Sequence, residues 1–252
     1  MNEMSIESYL AQGGVLTSPG NVPPRYRAEL MRLMATFVDS ELAGAAGFAD
    51  IINEGPGITE RIAASRIVLE KLDHAERVLK IMGEFGANTD RYANHHPWTA
   101  RLERDAEVGA TRSEHDMRLS VFNYPLQGWA DAVAMNLLMG KAVSIQLVEF
   151  SLVSYQPLAE AFRAIAPGET RHAELAEEGL SKLAAEDGAK ESLQASVNYW
   201  WPRVADSFGG DKSARAETLA AFGLRRSSNT ALRARWEAEA DSALGRVGLA
   251  RP

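Results

Sequence analysis

From Arg25 onward, apolar residues recur at intervals of three and four along most of the chain, and almost no stretch alternates polar with apolar as a half-buried strand would. This period predicts helices over residues 24–51, 58–86, 98–118, 127–154, 158–184, 189–205, 211–222 and 228–245. Breakers separate them: Gly55-Pro56-Gly57, residues 86–90, Asn123-Tyr124-Pro125, Gln156-Pro157 and Phe208-Gly209-Gly210. Four of these helices run to roughly 27 residues, and an amphipathic helix that long needs a partner along its whole length. The expected architecture is therefore an all-α, up-and-down helical bundle with additional C-terminal helices. Residues 1–23 contain Gly13-Gly14, Pro19-Gly20 and Pro23-Pro24, and read as an irregular N-terminal arm; residues 24–252 read as one domain. No short repeat of solenoid type is visible.

Polar residues interrupt the apolar stripes at telling places. The first long stripe runs Leu30, Leu33, Phe37, Glu41, Ala45, Phe48, with a carboxylate among its core positions. The second runs Ala64, Ile67, Lys71, His74, Val78, Ile81, Phe85, with a lysine and a histidine side by side. A third runs Trp129, Val133, Asn136, Gly140, Val143, Leu147, Phe150, and a fourth Leu158, Phe162, Ile165, Glu169, His172, Ala176, Gly179, Leu183. Burying an unpaired charge is costly, so such residues are expected to find one another. Each lies near the middle of its helix, which puts all of them at one height in an antiparallel bundle. Glu169 and His172 are three apart, about 60° around a helix, so both side chains can reach one ion. Carboxylate bundles of ferritin-like type hold two metal ions with a Glu from each of two helices and a Glu-x-x-His from each of two others.

Composition narrows the field. The net charge of the 252-residue chain is -7, with 27 Lys+Arg against 34 Asp+Glu, which argues against a nucleic-acid surface. With no cysteine, a disulfide framework, a thiolate zinc site and an iron–sulfur cluster are all excluded, and a reducing cytoplasm is the expected compartment. Met1-Asn2-Glu3-Met4 has neither the basic segment nor the apolar core of a secretory leader, and no apolar run is expected to span a membrane.

Phe122-Asn123-Tyr124-Pro125, Trp129-Ala130-Asp131, Ser154-Tyr155-x-Pro157, Glu169-x-x-His172 and Trp200-Trp201-Pro202 resemble the ferritin-like subunits of bacterial phenylacetyl-CoA epoxidase. The catalytic A subunit is the nearer match, and the C subunit, an inactive structural relative, the further one. The resemblance runs from about Pro24 to the C-terminal helix. It implies a ferritin-like bundle whose two irons activate dioxygen to epoxidise an aromatic acyl-CoA, assisted by a reductase and a partner subunit in a homo- or hetero-oligomer. Aligned by motif, Glu41, His74, Glu169 and His172 fall on family metal ligands.

Two positions depart from that pattern. Lys71 stands where a glutamate is expected, and Gly140 stands where the next helix supplies a carboxylate. Asp131 and Glu149 are each nine residues from Gly140, on the opposite helix face at about 100° per residue. Glu70 is better placed to swing toward the site. Pro167-Gly168 is expected to kink its helix and free the carbonyl of Arg163. The expected consequence is that the Lys71 ammonium replaces the metal charge and pairs with Glu41 and Glu169, leaving little or no di-iron chemistry.

Three other readings stand beside it. One is a mononuclear iron oxygenase using His74, His172, Glu169 and Glu41 or Glu70 on an aromatic acyl-CoA. Another is a purely structural ferritin-like subunit of an oxygenase complex. The last is a reactive lysine of lowered pKa. Cofactors thus stand at none or iron, and partners exclude nucleic acid and membrane. His95-His96 and His115 read as non-functional, the histidine pair in a loop. Trp200-Trp201-Pro202 reads as packing, and Arg225-Arg226, Arg233 and Arg235 as solvated charges.

Overall fold

The computed structural model describes residues 4–95, 97–108, 116–210 and 214–252. Helices among them are α1 (Ile6–Ala11), α2 (Pro24–Ile51), α3 (Ile58–Glu84), α4 (Thr89–His95), α5 (Gly128–Phe150), α6 (Gln156–Ala184), α7 (Ala189–Asp206), α8 (Ala214–Ala221) and α9 (Asn229–Arg246). The described residues form no strand; one isolated bridge joins Leu16 of the arm to Tyr155, just before α6.

The four long helices make the ferritin-like bundle. Each has an apolar stripe that only a neighbouring helix can cover, and short connections fold α2 against α3 and α5 against α6. Both pairs are antiparallel. Arg27 at the start of α2 reaches the Phe85 carbonyl beyond the end of α3, while Glu41 further along α2 reaches back to Lys71. The pairs close on each other through α3 with α6 and α2 with α5. Helices α7 and α9 then cover the other side of α5. Their tryptophans explain the Trp-Trp-Pro motif: Trp200 donates its indole N–H to Asp131 at 2.9 Å, and Trp201 stacks on Trp236 at 4.6 Å.

α5 is long and apolar enough to cross a membrane by length and composition, contrary to the sequence expectation, but 67% of its most apolar window is buried among its neighbours. Its apolar character is used for packing on α6, α7 and α9.

The expected helix over 98–118 does not form in its described part. Its carbonyls are claimed from outside the local backbone: Arg118, 1% exposed, donates to the carbonyls of Pro97 (2.5 Å), Trp98 (3.1 Å) and Ala100 (3.1 Å). Leu102 N–H goes to the Asn123 carbonyl at 2.7 Å, and Arg104 pairs with Asp131 at 2.8 Å. These tertiary bonds replace the helical ladder. Conversely, α1 lies inside the arm expected to be irregular, with Ser5 capping it by accepting the Ser8 N–H. His95 ends helix α4 instead of sitting in a loop, whereas His96 and His115 lie outside the described residues. The α6 helix runs unbroken through Pro167, so Glu169 keeps its inward aim.

A candidate cation site between four helices

Glu41 on α2, Lys71 and His74 on α3, and Glu169 and His172 on α6 converge inside the bundle, all nearly inaccessible to solvent. Lys71 Nζ lies at the centre. It donates to both carboxylate oxygens of Glu169 at 3.1 Å and to Glu41 at 3.2 and 3.5 Å. His74 Nδ1 lies 3.0 Å from Glu169 Oε1 and 3.5 Å from Glu41 Oε2. Glu41, His74 and Glu169 each bring a ligand-type atom to within 4.8 Å of the others. All these residues were legible as site candidates from the sequence.

Two glycines make the arrangement fit. An added Cβ on Gly44, one turn after Glu41, would lie 3.4 Å from Lys71 Cδ and 3.3 Å from the Phe122 ring, so the bare backbone leaves a channel for the lysine stem. A Cβ on Gly168 would lie 3.1 Å from His74 Nε2, so α6 can approach the imidazole only because this residue lacks a side chain.

Electrostatics follow from burial and pairing. Burial works against a charged Lys71, yet the Glu169 and Glu41 carboxylates outweigh it and hold its pKa above the ordinary lysine range. Burial likewise opposes a charged His74, but its bonds to Glu169 and Glu41 push it up to about 9 from 6.5. Glu169 would also be raised by burial; Lys71, His172 and His74 pull it well below the usual carboxylate value. Glu41 is raised, by burial first and by the Glu169 charge second. Glu169 is thus the firmly ionised member of the pair. A lysine held this way is a fixed cation, the reverse of the lowered pKa that a nucleophilic lysine requires.

Glu70 does not enter the cluster. It stays at the rim, its side chain 37% exposed, and its Oε2 lies 2.6 Å from His172 Nε2. His172 Nδ1 lies 3.4 Å from Glu169 Oε1 without hydrogen-bond geometry to any group. Its backbone carbonyl accepts from Asn136 of α5 at 3.3 Å. Gly140, expected as a vacated ligand position, is a helix contact: an added Cβ would meet Ala173 Cα and Cβ at 3.1 Å, forcing α5 and α6 apart. Asp131 and Glu149 are both occupied elsewhere, Asp131 with Arg104, Trp200 and Gln127 N–H, Glu149 with Ser227 and the Arg226 N–H.

Several contributors were missed by sequence reasoning. Asp39 and Ser40, immediately before Glu41, accept the Met117 and Leu119 N–H groups at 2.7 and 3.0 Å and fasten that segment over α2. The run Asp39-Ser40-Glu41 in an apolar helix was the available signal. A cavity of about 390 Å³ opens beside Glu41, lined by Phe37, Phe122, Met139, Leu147 and Phe150. Arg225, expected to be solvated, lies at its wall and donates to Gln146 at 2.6 Å.

A family model described as phenylacetic acid catabolic protein matches residues 15–252, and the chain belongs to that family. The A subunit of the 1,2-phenylacetyl-CoA epoxidase of Escherichia coli (strain K12) is 24% identical over 238 residues, covering 93% of this chain and 72% of that one.

Proposed function

We propose that this member of the phenylacetic acid catabolic protein family is a subunit of an aromatic acyl-CoA oxygenase assembly that performs little or no di-iron chemistry itself. The observation that carries the reading is the Lys71 ammonium, within 3.5 Å of four carboxylate oxygens of Glu41 and Glu169. The resemblance implies two irons, and the residues here do not match two irons. A positive side chain occupies the space between the carboxylates. On α5, Gly140 packs on Ala173 where a further carboxylate ligand would be needed. Under this reading the site is a degenerate one in which the lysine takes the place of metal charge.

The partners under this reading are a catalytic or structural subunit of the same assembly and its reductase, with an aromatic acyl-CoA as the assembly's substrate. An outward stripe on α3 supports association with such a protein. Ile58, Ile62, Leu69 and Leu72 are 78%, 55%, 68% and 43% exposed, whereas the C-terminal half of the same face carries the solvated ion pairs Asp73–Arg77 and Glu76–Lys80. The cysteine-free composition suits a reducing cytoplasm.

The cavity beside Glu41 and the Glu41, His74, Glu169 constellation favour one second reading, a mononuclear iron oxygenase acting on an aromatic acyl-CoA. Elemental analysis of protein expressed with added iron and purified without chelator separates the two. The non-catalytic reading expects no bound iron and no oxygen uptake with aromatic acyl-CoA thioesters. About one iron per chain with substrate-dependent oxygen uptake would replace it with the mononuclear reading, and about two would overturn both.

A further inference from the structure

We infer that the outward face of α3 is a two-fold interface on which α3 of a second copy of this chain lies antiparallel, with Leu69 against the partner's Leu72 and Arg66 beside the partner's Asp73. The inference rests on the reading above, that this stripe is an association surface, and adds which protein covers it.

Ile58, Ile62, Ser65, Leu69 and Leu72 follow one another at alternating intervals of four and three, the seam period of paired helices. At about 100° per residue they share an arc of roughly 80°. The buried residues of α3, among them Ala64, Ile67, His74 and Val78, take the opposite side of the helix. α3 therefore has two apolar faces, and its packing on α2 and α6 uses only the buried one. Ser65 interrupts the outer seam without spoiling it. Its hydroxyl donates to the Arg61 carbonyl of its own helix at 2.8 Å, so a helix packed over it strands no donor.

Charge points to a copy of the same chain and selects its register. Arg66 and Asp73 are exposed and lie one heptad apart on the same flank of the seam. Among the described residues Arg66 makes no hydrogen bond or ion pair. Asp73 accepts from Arg77 on Oδ2, which leaves Oδ1 open to a second cation. Along one helix Arg66 and Asp73 are about 10 Å apart and point the same way, so they do not meet. A two-fold axis beside Leu69 reverses their order in the second copy. It brings Arg66 to the partner's Asp73, and by symmetry Asp73 to the partner's Arg66. The same register sets Leu69 on the partner's Leu72 and Ile62 on the partner's Leu79. Sliding the helices until Ile62 meets the partner's Leu72 would set Arg66 against the partner's Arg66, a like-charge contact that disfavours this alternative. A single helix pair is at the low end of interface sizes, so the dimer is expected to be reversible and micromolar.

Sedimentation equilibrium of the full-length chain over a wide range of concentration tests the interface. Wild type is expected to pass reversibly from monomer to dimer. Leu69→Glu should weaken the dimer ~10-fold or more. Its circular dichroism should stay that of wild type, because Leu69 is exposed in the single chain. Arg66→Asp and Asp73→Arg should each weaken the dimer by a similar factor, and the two together should restore it, as only an antiparallel two-fold contact allows. The chain has no cysteine, so Leu69→Cys carries a single thiol. Mild oxidation should join Leu69→Cys into a covalent dimer and leave Ile58→Cys, at the far end of the seam, unlinked. A wild type that is monomeric at every concentration overturns the inference. So does a dimer indifferent to Leu69→Glu, or a charge swap that restores nothing; if Leu69→Glu does not fold, the charge swap decides alone. A monomeric wild type without iron ends this inference and leaves the proposed function standing. Iron in wild type ends the reading of Lys71 as a metal substitute and leaves the dimer untouched, so the two failures are distinguishable.

Discussion

Lys71 Nζ sits 3.1 Å from each carboxylate oxygen of Glu169, a symmetrical two-oxygen contact of the kind a carboxylate makes with a metal ion. The lysine comes from α3 and the glutamate from α6, so the contact joins the two halves of the bundle. Breaking it from one side leaves a buried cation facing the single carboxylate of Glu41. Glu169→Gln is expected to cost ~3–5 kcal/mol, the range for removing one partner of a buried pair. Glu70→Gln, at the partly exposed rim, should cost roughly 1 kcal/mol or less. Urea unfolding of the two variants checks the difference, and equal losses would contradict the central position of Glu169.

Stability should fall on the alkaline side. Folding raises the His74 pKa to about 9 from 6.5, so the protonated ring favours the folded state. That contribution is complete below pH 6.5 and is lost as pH rises through about 9. The loss is of order ~2 kcal/mol, or roughly 4–8 °C in Tm for a chain of this size. Glu169 has the opposite sign: its folded pKa is lowered, so its contribution is present above pH 4.5 and is lost as pH falls toward the folded value. Thermal melts across this range test both limbs. A His74→Gln variant should flatten the alkaline one.

Gly168 faces the His74 ring, and Gly140 faces the backbone of α6. Gly168→Ala must displace an imidazole held by two carboxylates, and Gly140→Ala must move a helix. Each is expected to lose ~1–3 kcal/mol through overpacking. Gly210→Ala, where an added Cβ meets nothing within 4 Å, should stay within about 0.5 kcal/mol of wild type. A neutral Gly168→Ala would show that His74 has room to move.

Asp131 accepts from Arg104, from the Trp200 indole and from the Gln127 N–H, and so pins the irregular segment before Asp105 to α5 and α7. Asp131→Ala should make that segment sensitive to limited proteolysis while leaving the His74 titration unchanged. A shifted His74 titration would show that the motif acts on the site.

The sequence by itself determined the bundle and the membership of its polar centre. Helical period and breakers are local properties, and they placed α2, α3, α5 and α6 closely. A charge in an apolar stripe is also local, so Glu41, Lys71, His74, Glu169 and His172 could be found before any helix was packed. The tertiary structure decided which atoms meet. Glu70 and His172 sit on different helices, and only the register of α3 against α6 turns that carboxylate onto His172 Nε2 instead of into the centre. Gly140 lies on the same stripe as Asn136, yet its bare Cα closes on Ala173. The 98–118 stretch has helical spacing but yields its carbonyls to Arg118 and to bonds with distant residues. Periodicity fixes the face a residue occupies; interhelical register, side-chain rotamers and competition for backbone carbonyls fix its partner, and these exist only once the chain is packed.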